Sequence, residues 1–126
     1  MKIVPIYAAL MAFGFLFLTY RVITIRRSLK VAIGTKGDQL LERVARVHAN
    51  FVEYAPFGLL LLVLLEMKGA NAIWLHALCL ALLTGRAVHA YGVSQQDEDF
   101  RLRVFGMMST LTVIAATALS LLWLSL

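Results

Sequence analysis

Four polar residues near the middle of the chain share one helical face and could bind a small charged ligand. Arg46, Asn50, Glu53 and Tyr54 are spaced at i, i+4, i+7 and i+8, which places them on one stripe of an α-helix. The arginine offers a planar fork for a carboxylate, the glutamate accepts from an ammonium group, and the other two add neutral donors and acceptors. Together they suit a zwitterionic, peptide-like ligand. An arginine and a glutamate on one stripe could equally form a structural ion pair between helices.

Further cationic residues are expected to converge on this stripe at the same depth. They form three groups, namely Arg26 with Arg27, Arg86 with His89, and Arg101 with Arg103. The alternative for each group is a side chain that extends to the lipid headgroups. For Arg86, which directly follows an apolar run, a functional role and this structural role are equally supported.

The elements that position these residues are apolar runs typical of membrane-spanning helices. Of the 126 residues, 61% are hydrophobic and only 15% are charged, whereas about a quarter of a soluble domain is charged. The runs predict one all-α domain over residues 1–126, an integral membrane four-helix bundle with spans at about 3–25, 39–67, 70–91 and 103–125. Asp38 is a suitable N-cap for the second helix. The uncharged part of that helix covers only about 18 Å, so its polar half must face the protein interior or leave the membrane.

Loop charge predicts the orientation of the bundle. The segment from Arg21 to Arg46 holds seven Lys or Arg residues against two acidic residues, whereas the turn between the second and third spans holds only Lys68. By the positive-inside rule the first and third loops are cytoplasmic, both termini are periplasmic, and the polar stripe lies near the cytoplasmic face. The net charge of +5 is therefore a topology signal, and no nucleic-acid partner is expected.

Other kinds of site find little support in the sequence. Cys79 is the single cysteine, which excludes an intramolecular disulfide, and its apolar neighbours favour an inert filler. His48, His76 and His89 show no HxxxH spacing, so no metal site is predicted. The first apolar run ends at arginines without a small-residue cleavage site, so no signal peptide is expected.

Three segments carry motifs that extend this interpretation. They read VITIRR at 22–27, ERVARVHANFVEYAP at 42–56 and GRAVHAYG at 85–92. These motifs resemble the MAPEG family, the membrane-associated proteins in eicosanoid and glutathione metabolism, and the resemblance covers essentially the whole chain. It implies a bacterial inner-membrane member whose four-helix protomers form a homotrimer, with glutathione bound between subunits near the cytoplasmic face.

The resemblance also implies a role for each site residue. The glutathione-binding residues would be Arg26, Arg46, His48, Asn50, Glu53, Tyr54, Arg86 and His89. The family's thiolate-activating arginine falls on Arg103 or Arg101, and Arg103 is preferred because RVFGM begins the last helix as expected. That arginine would lower the thiol pKa and so supply more nucleophile at neutral pH. Arg27 matches a position that assists a second substrate in some members, and Val93 stands where some members have a second tyrosine.

Together these features predict a glutathione-dependent transferase or peroxidase that acts on hydrophobic electrophiles entering from the lipid. Its expected partners are further copies of itself, membrane lipid and the hydrophobic substrate. The alternative is a non-catalytic lipid- or glutathione-binding scaffold of the same family. A small multidrug transporter is less well supported, because such transporters need a membrane-embedded acid in the first span and residues 3–20 contain none.

Overall fold

The chain folds into four long antiparallel helices. The computed structural model describes residues 2–126. The helices are α1 (Val4–Leu29), α2 (Gln39–Met67), α3 (Ala72–Ser94) and α4 (Phe100–Ser125). All four are long and apolar enough to cross a membrane, so the prediction of an all-α membrane four-helix bundle is confirmed.

The helices extend beyond the expected spans at the end of the bundle that holds most of the charge, which we call the charged end. There α1 continues past residue 25 to Leu29, and α3 continues past residue 91 to Ser94. Helix α4 begins at Phe100 rather than at residue 103, because the Asp99 carboxylate caps it by accepting from the Arg101 N–H at 2.9 Å. Apolar runs reveal the lipid-facing length, whereas capping groups decide where the hydrogen-bonded helix ends.

Three helices begin at a cap of their own, and α1 begins at one supplied by α2. Asp38 accepts from the Leu41 N–H at 2.8 Å, as the sequence predicts, and Asn71 caps α3 in the same way. Helix α1 has no side-chain cap of its own. Instead the Glu66 carboxylate accepts from the backbone N–H groups of residues 2, 3 and 4 at 2.5, 2.8 and 2.9 Å. This contact satisfies free donors, complements the helix dipole, and fastens α1 to α2 opposite the charged end.

The core lies among the helices, and the outer surface is apolar. Leu62 of α2 and Leu82 and Cys79 of α3 are fully buried, so the thiol is packed as an apolar side chain. Phe13 and Trp123 are 71% and 82% exposed. Such large apolar groups on the outside of a bundle are suited to contact with lipid.

Helices α3 and α4 approach closely because a glycine replaces a side chain at their crossing. A Cβ atom on Gly106 of α4 would lie 2.6 Å from the Gly85 carbonyl oxygen and 2.7 Å from the His89 nitrogen of α3. Any larger residue would push the helices apart. The close approach brings Thr110, one turn beyond Gly106, within reach of Arg86.

Candidate functional site

A buried arginine of α3 joins three helices at the centre of the site. Arg86 is only 3% exposed. Its Nε donates to Thr110 Oγ1 of α4 at 2.8 Å, its Nη1 donates to Asn50 Oδ1 of α2 at 2.6 Å, and its Nη2 donates to the Gly106 carbonyl at 3.4 Å. The Tyr54 ring centre lies 5.7 Å from the guanidinium carbon. Within residues 2–126 no carboxylate pairs with it, so neutral acceptors and an aromatic face stabilise this charge.

Two members of the predicted stripe are therefore positioned by Arg86. Asn50 is 8% exposed, and its carbonyl oxygen is taken by the guanidinium. The amide NH2 group of Asn50 is thus the part that can donate to a ligand. The Tyr54 ring lies against the same cation, so Arg86 contacts both of these stripe residues.

The two charged members of the stripe lie on the outside of the protomer. The side chains of Arg46 and Glu53 are 57% and 50% exposed, and Arg46 Nη2 lies 3.9 Å from Glu53 Oε2. This pair lies within α2 rather than between helices, which was the structural alternative. An exposed pair of this length contributes little to stability. Both groups are therefore accessible to a ligand or to a neighbouring subunit.

Within one protomer the structure does not bring Arg26, Arg27 and His48 to the stripe. His48 follows Arg46 by two residues, a rotation of about 200° around the helix, and its Nε2 lies 3.0 Å from Thr19 Oγ1 of α1. Helix α1 therefore packs on the far side of α2. Arg26 donates to the Gly34 carbonyl at 2.8 Å and orders the loop after α1, while Arg27 is exposed. Within a single protomer, Arg26 and Arg27 therefore do not join the stripe, because α1 packs on the opposite side of α2.

A polar cavity at the charged end contains Arg103 and Arg46. It has a volume of about 410 Å³ and lies between the first turns of α2, the end of α3 and the start of α4. The Glu98 carboxylate in its wall lies 3.1 Å from Arg43 Nη1 and 3.2 Å from Arg103 Nη1. Arg101 is exposed on the outside of α4. Of the two arginines that begin the last helix, Arg103 is the one that faces the cavity.

The three histidines lie in separate contacts. His76 Nδ1 lies 2.9 Å from Tyr7 Oη in a hydrogen bond between α3 and α1, and His48 faces α1. His89 is 5% exposed and packs at the crossing of α3 and α4, one turn beyond Arg86. In the described part of the chain no three His, Cys, Asp or Glu residues cluster as metal ligands would.

An apolar groove between α1 and α3 reaches the Arg86 network. Its volume is about 450 Å³, and apolar side chains that include Leu10, Phe17 and Leu83 line most of it. Arg86 lies in its wall, and Arg21, which donates to Ser94 Oγ at 3.2 Å, lies at its charged end. The groove can accept a hydrophobic molecule that carries a polar end.

Comparison with known proteins identifies the family. The model of the MAPEG family matches residues 4–123. This chain belongs to the MAPEG family. The resemblance carried by the three motifs is thereby confirmed over nearly the whole MAPEG chain.

The relatives of this MAPEG chain include inner membrane protein YecN of Escherichia coli strain K12. The two are 34% identical over 118 residues, which cover 94% of this chain and 88% of the relative. Inner membrane protein YecN of Escherichia coli O6:H1 strain CFT073 matches with the same identity and coverage. Together with the four apolar helices, the similarity to an inner membrane protein indicates that this MAPEG chain is an integral inner-membrane protein.

Sequence reasoning missed two residues that contact the site arginines of this MAPEG chain, Thr110 and Glu98. Thr110 lies in an uncharged run. The one local indication of its role is that it follows Gly106 by four residues, about one helical turn. Glu98 lies 55 residues after Arg43, and no spacing rule connects positions so distant. These contacts depend on how the helices pack rather than on the pattern within one helix.

Proposed function

We propose that this MAPEG protein is a glutathione-dependent transferase or peroxidase that acts on hydrophobic electrophiles. The observation that carries the proposal is the buried Arg86, which fixes Asn50 and Tyr54 beside the two accessible charges of Arg46 and Glu53. A ligand on this surface meets a cation, an anion and neutral donors in one line. That arrangement suits a small peptide with free carboxylates and an α-amino group.

Each residue has a distinct part in this proposal. Arg46 binds a glutathione carboxylate through its fork, Glu53 accepts from the amino group, and Asn50 donates from its free NH2. Arg103 stabilises the thiolate by charge and hydrogen bonding, which raises the fraction of nucleophile at neutral pH. With an electrophilic carbon, the sulfur forms a bond to that carbon while the bond to the leaving group breaks, and the leaving group departs with the electron pair. With a hydroperoxide, the thiolate attacks one peroxide oxygen, the O–O bond breaks and the alcohol leaves. A second glutathione then displaces water from the sulfenic acid and forms glutathione disulfide.

The active unit in this proposal is a homotrimer with glutathione between subunits. Glu53 lies about 21 Å along α2 from its first residue, yet half of its side chain is exposed in the protomer. A charged side chain exposed to the hydrocarbon region is unfavourable, by about 2.5–3.5 kcal/mol at the bilayer centre and by less towards its faces. A neighbouring subunit that covers the stripe avoids this cost. It also supplies Arg26 and Arg27, which lie on the far side in the same protomer.

The two histidines of the site, His48 and His89, lie at contacts between helices. His48 holds α1 against α2, and His89 lies at the contact of α3 with α4, so both are positioning residues in the proposal. The hydrophobic substrate enters from the lipid through the groove between α1 and α3. The concentration of Lys and Arg in the first loop supports a cytoplasmic site and periplasmic termini.

Thiolate formation and turnover in detergent-purified protein test the proposal. Mixing glutathione with the wild type should give thiolate ultraviolet absorbance, and adding an aryl halide or a lipid hydroperoxide should consume the thiol. Arg103→Gln should lose at least about tenfold in turnover, a loss equivalent to about 1.4 kcal/mol, together with the thiolate signal. Arg101→Gln, the matched change at the exposed arginine, should keep both. An absent thiolate signal without turnover of either electrophile contradicts the proposal.

A non-catalytic glutathione- or lipid-binding scaffold is the second candidate. It is favoured by the contact between Glu98 and Arg103, because this carboxylate withholds part of the arginine's charge from a thiolate. Saturable glutathione binding with no thiolate absorbance and no thiol consumption would identify the scaffold.

A further inference from the structure

We infer that Glu98 is a built-in competitor for the anion that binds at Arg103. The inference rests on the proposed function, since Arg103 is the residue assigned there to the thiolate. Glu98 belongs to the segment between α3 and α4, and two arginines from different helices bind its carboxylate. Arg43 Nη1 of α2 lies 3.1 Å from Oε2, and Arg103 Nη1 of α4 lies 3.2 Å from Oε1.

The position of the Glu98 carboxylate resembles that of a bound ligand. Its side chain is only 8% exposed, while the side chains of Arg43 and Arg103 remain 30% and 42% exposed and line the polar cavity. Charge-assisted hydrogen bonds from guanidinium groups are the contacts that an external carboxylate, sulfate or thiolate would make. An external anion at Arg103 must therefore displace Glu98 or share the arginine with a like charge.

The surroundings allow the displacement to remain local. Glu98 lies outside both helices, and the neighbouring Asp99 caps α4 through its own hydrogen bond to the Arg101 N–H. Release of Glu98 therefore leaves the start of α4 capped. The cavity of about 410 Å³ beside it offers space for the entering anion.

Two variants that break the same ion pair should change anion binding in opposite directions. Glu98→Gln keeps the shape of the side chain but removes the competing charge, so anions should bind more tightly. Arg43→Gln breaks the same contact but removes a cation, and it leaves Glu98 on Arg103 alone, so anions should bind less tightly. Loss of one charge from the cavity alone would shift binding in these same two directions. Competition therefore requires Glu98→Gln to strengthen anion binding much more than the loss of Glu42, an acid of the same cavity that forms no ion pair within residues 2–126.

Calorimetric titration of the full-length protein in detergent tests this inference, with inorganic sulfate as the probe anion and glutathione in parallel. Glu98→Gln should bind sulfate and glutathione roughly three- to tenfold more tightly, and Arg43→Gln should bind both more weakly. Glu42→Gln, a matched change at an exposed acid of the same cavity, should shift sulfate binding much less than Glu98→Gln. Unchanged or weaker sulfate binding by Glu98→Gln overturns the inference.

The two titrants distinguish failure of the inference from failure of the proposed function. If sulfate binding changes as expected but no variant binds glutathione, the competitor role stands and the proposed function fails. If the wild type binds glutathione, forms the thiolate and consumes it with an electrophile, while Glu98→Gln binds neither titrant more tightly, the proposed function stands and the inference fails. If Glu98→Gln is isolated unfolded, Glu98→Asp replaces it. Its shorter side chain loosens one arginine contact, so sulfate must again bind more tightly, and unchanged or weaker binding overturns the inference.

Discussion

Asn50 of α2 accepts a 2.6 Å hydrogen bond from Arg86 of α3, and this contact couples the ligand-facing stripe to a buried charge. The guanidinium also requires its other acceptors, Thr110 Oγ1 and the Gly106 carbonyl. A buried donor that loses its partner keeps its desolvation penalty. The shape of the stripe and the stability of the bundle therefore depend on the same small group of polar contacts.

Replacing Thr110 by valine should destabilise the bundle more than the same change at Thr117. Both threonines are fully buried in α4 and donate to the carbonyl four residues earlier, but only Thr110 also accepts from Arg86. Thr110→Val should therefore cost about 1–3 kcal/mol more, the penalty of an unpaired buried donor. Denaturant unfolding followed by circular dichroism measures both variants, and equal losses would show that the Arg86 contact is not needed for stability.

Adding one methyl group at Gly106 should destabilise the contact between α3 and α4. The new Cβ would lie 2.6 Å from the Gly85 carbonyl oxygen, and it can be accommodated only if the backbones move. Gly106→Ala should cost about 1–3 kcal/mol. Gly14→Ala is the matched control, because a Cβ there meets nothing within 4 Å, and it should be neutral or stabilising by up to about 1 kcal/mol. Thermal unfolding that shifts equally for both variants would refute the close crossing.

Removing the Glu66 carboxylate should loosen the first turn of α1 while leaving the rest of the helix intact. Glu66 accepts from three backbone N–H groups there, and loss of a cap costs about 0.5–2 kcal/mol. Glu66→Ala should speed amide hydrogen exchange of residues 2–6 by roughly two- to thirtyfold, and Glu66→Gln should have a smaller effect. Lys68→Ala, two residues away and exposed, is the control. Protection that is identical in all three variants would contradict this role for Glu66.

The features that could be predicted from the sequence are those encoded within single helices. The stripe from Arg46 to Tyr54 and the cap at Asp38 both depend on residues a few positions apart, and helical geometry fixes such relationships. Four apolar runs likewise suffice to give a four-helix membrane fold. Contacts such as Glu66 with the start of α1 could not be predicted, because they join positions more than 60 residues apart.

The placement of Arg26 and His48 shows the same limit. Whether these residues reach the stripe depends on which side of α2 is covered by α1, and periodicity carries no information about that choice. The contact of His48 with Thr19 shows that α1 covers the side of α2 opposite the stripe.

Glutathione titration of the detergent-purified protein tests the central claim, that the α2 stripe binds this ligand, most directly. The wild type should show saturable binding, and Arg46→Ala should weaken it by about tenfold or more, because one charge-assisted contact contributes roughly 1.5–3 kcal/mol. Lys36→Ala, which removes an exposed cation from the loop before α2, should bind glutathione as the wild type does. Absence of saturable binding, or equal affinity in the wild type and Arg46→Ala, would contradict the claim.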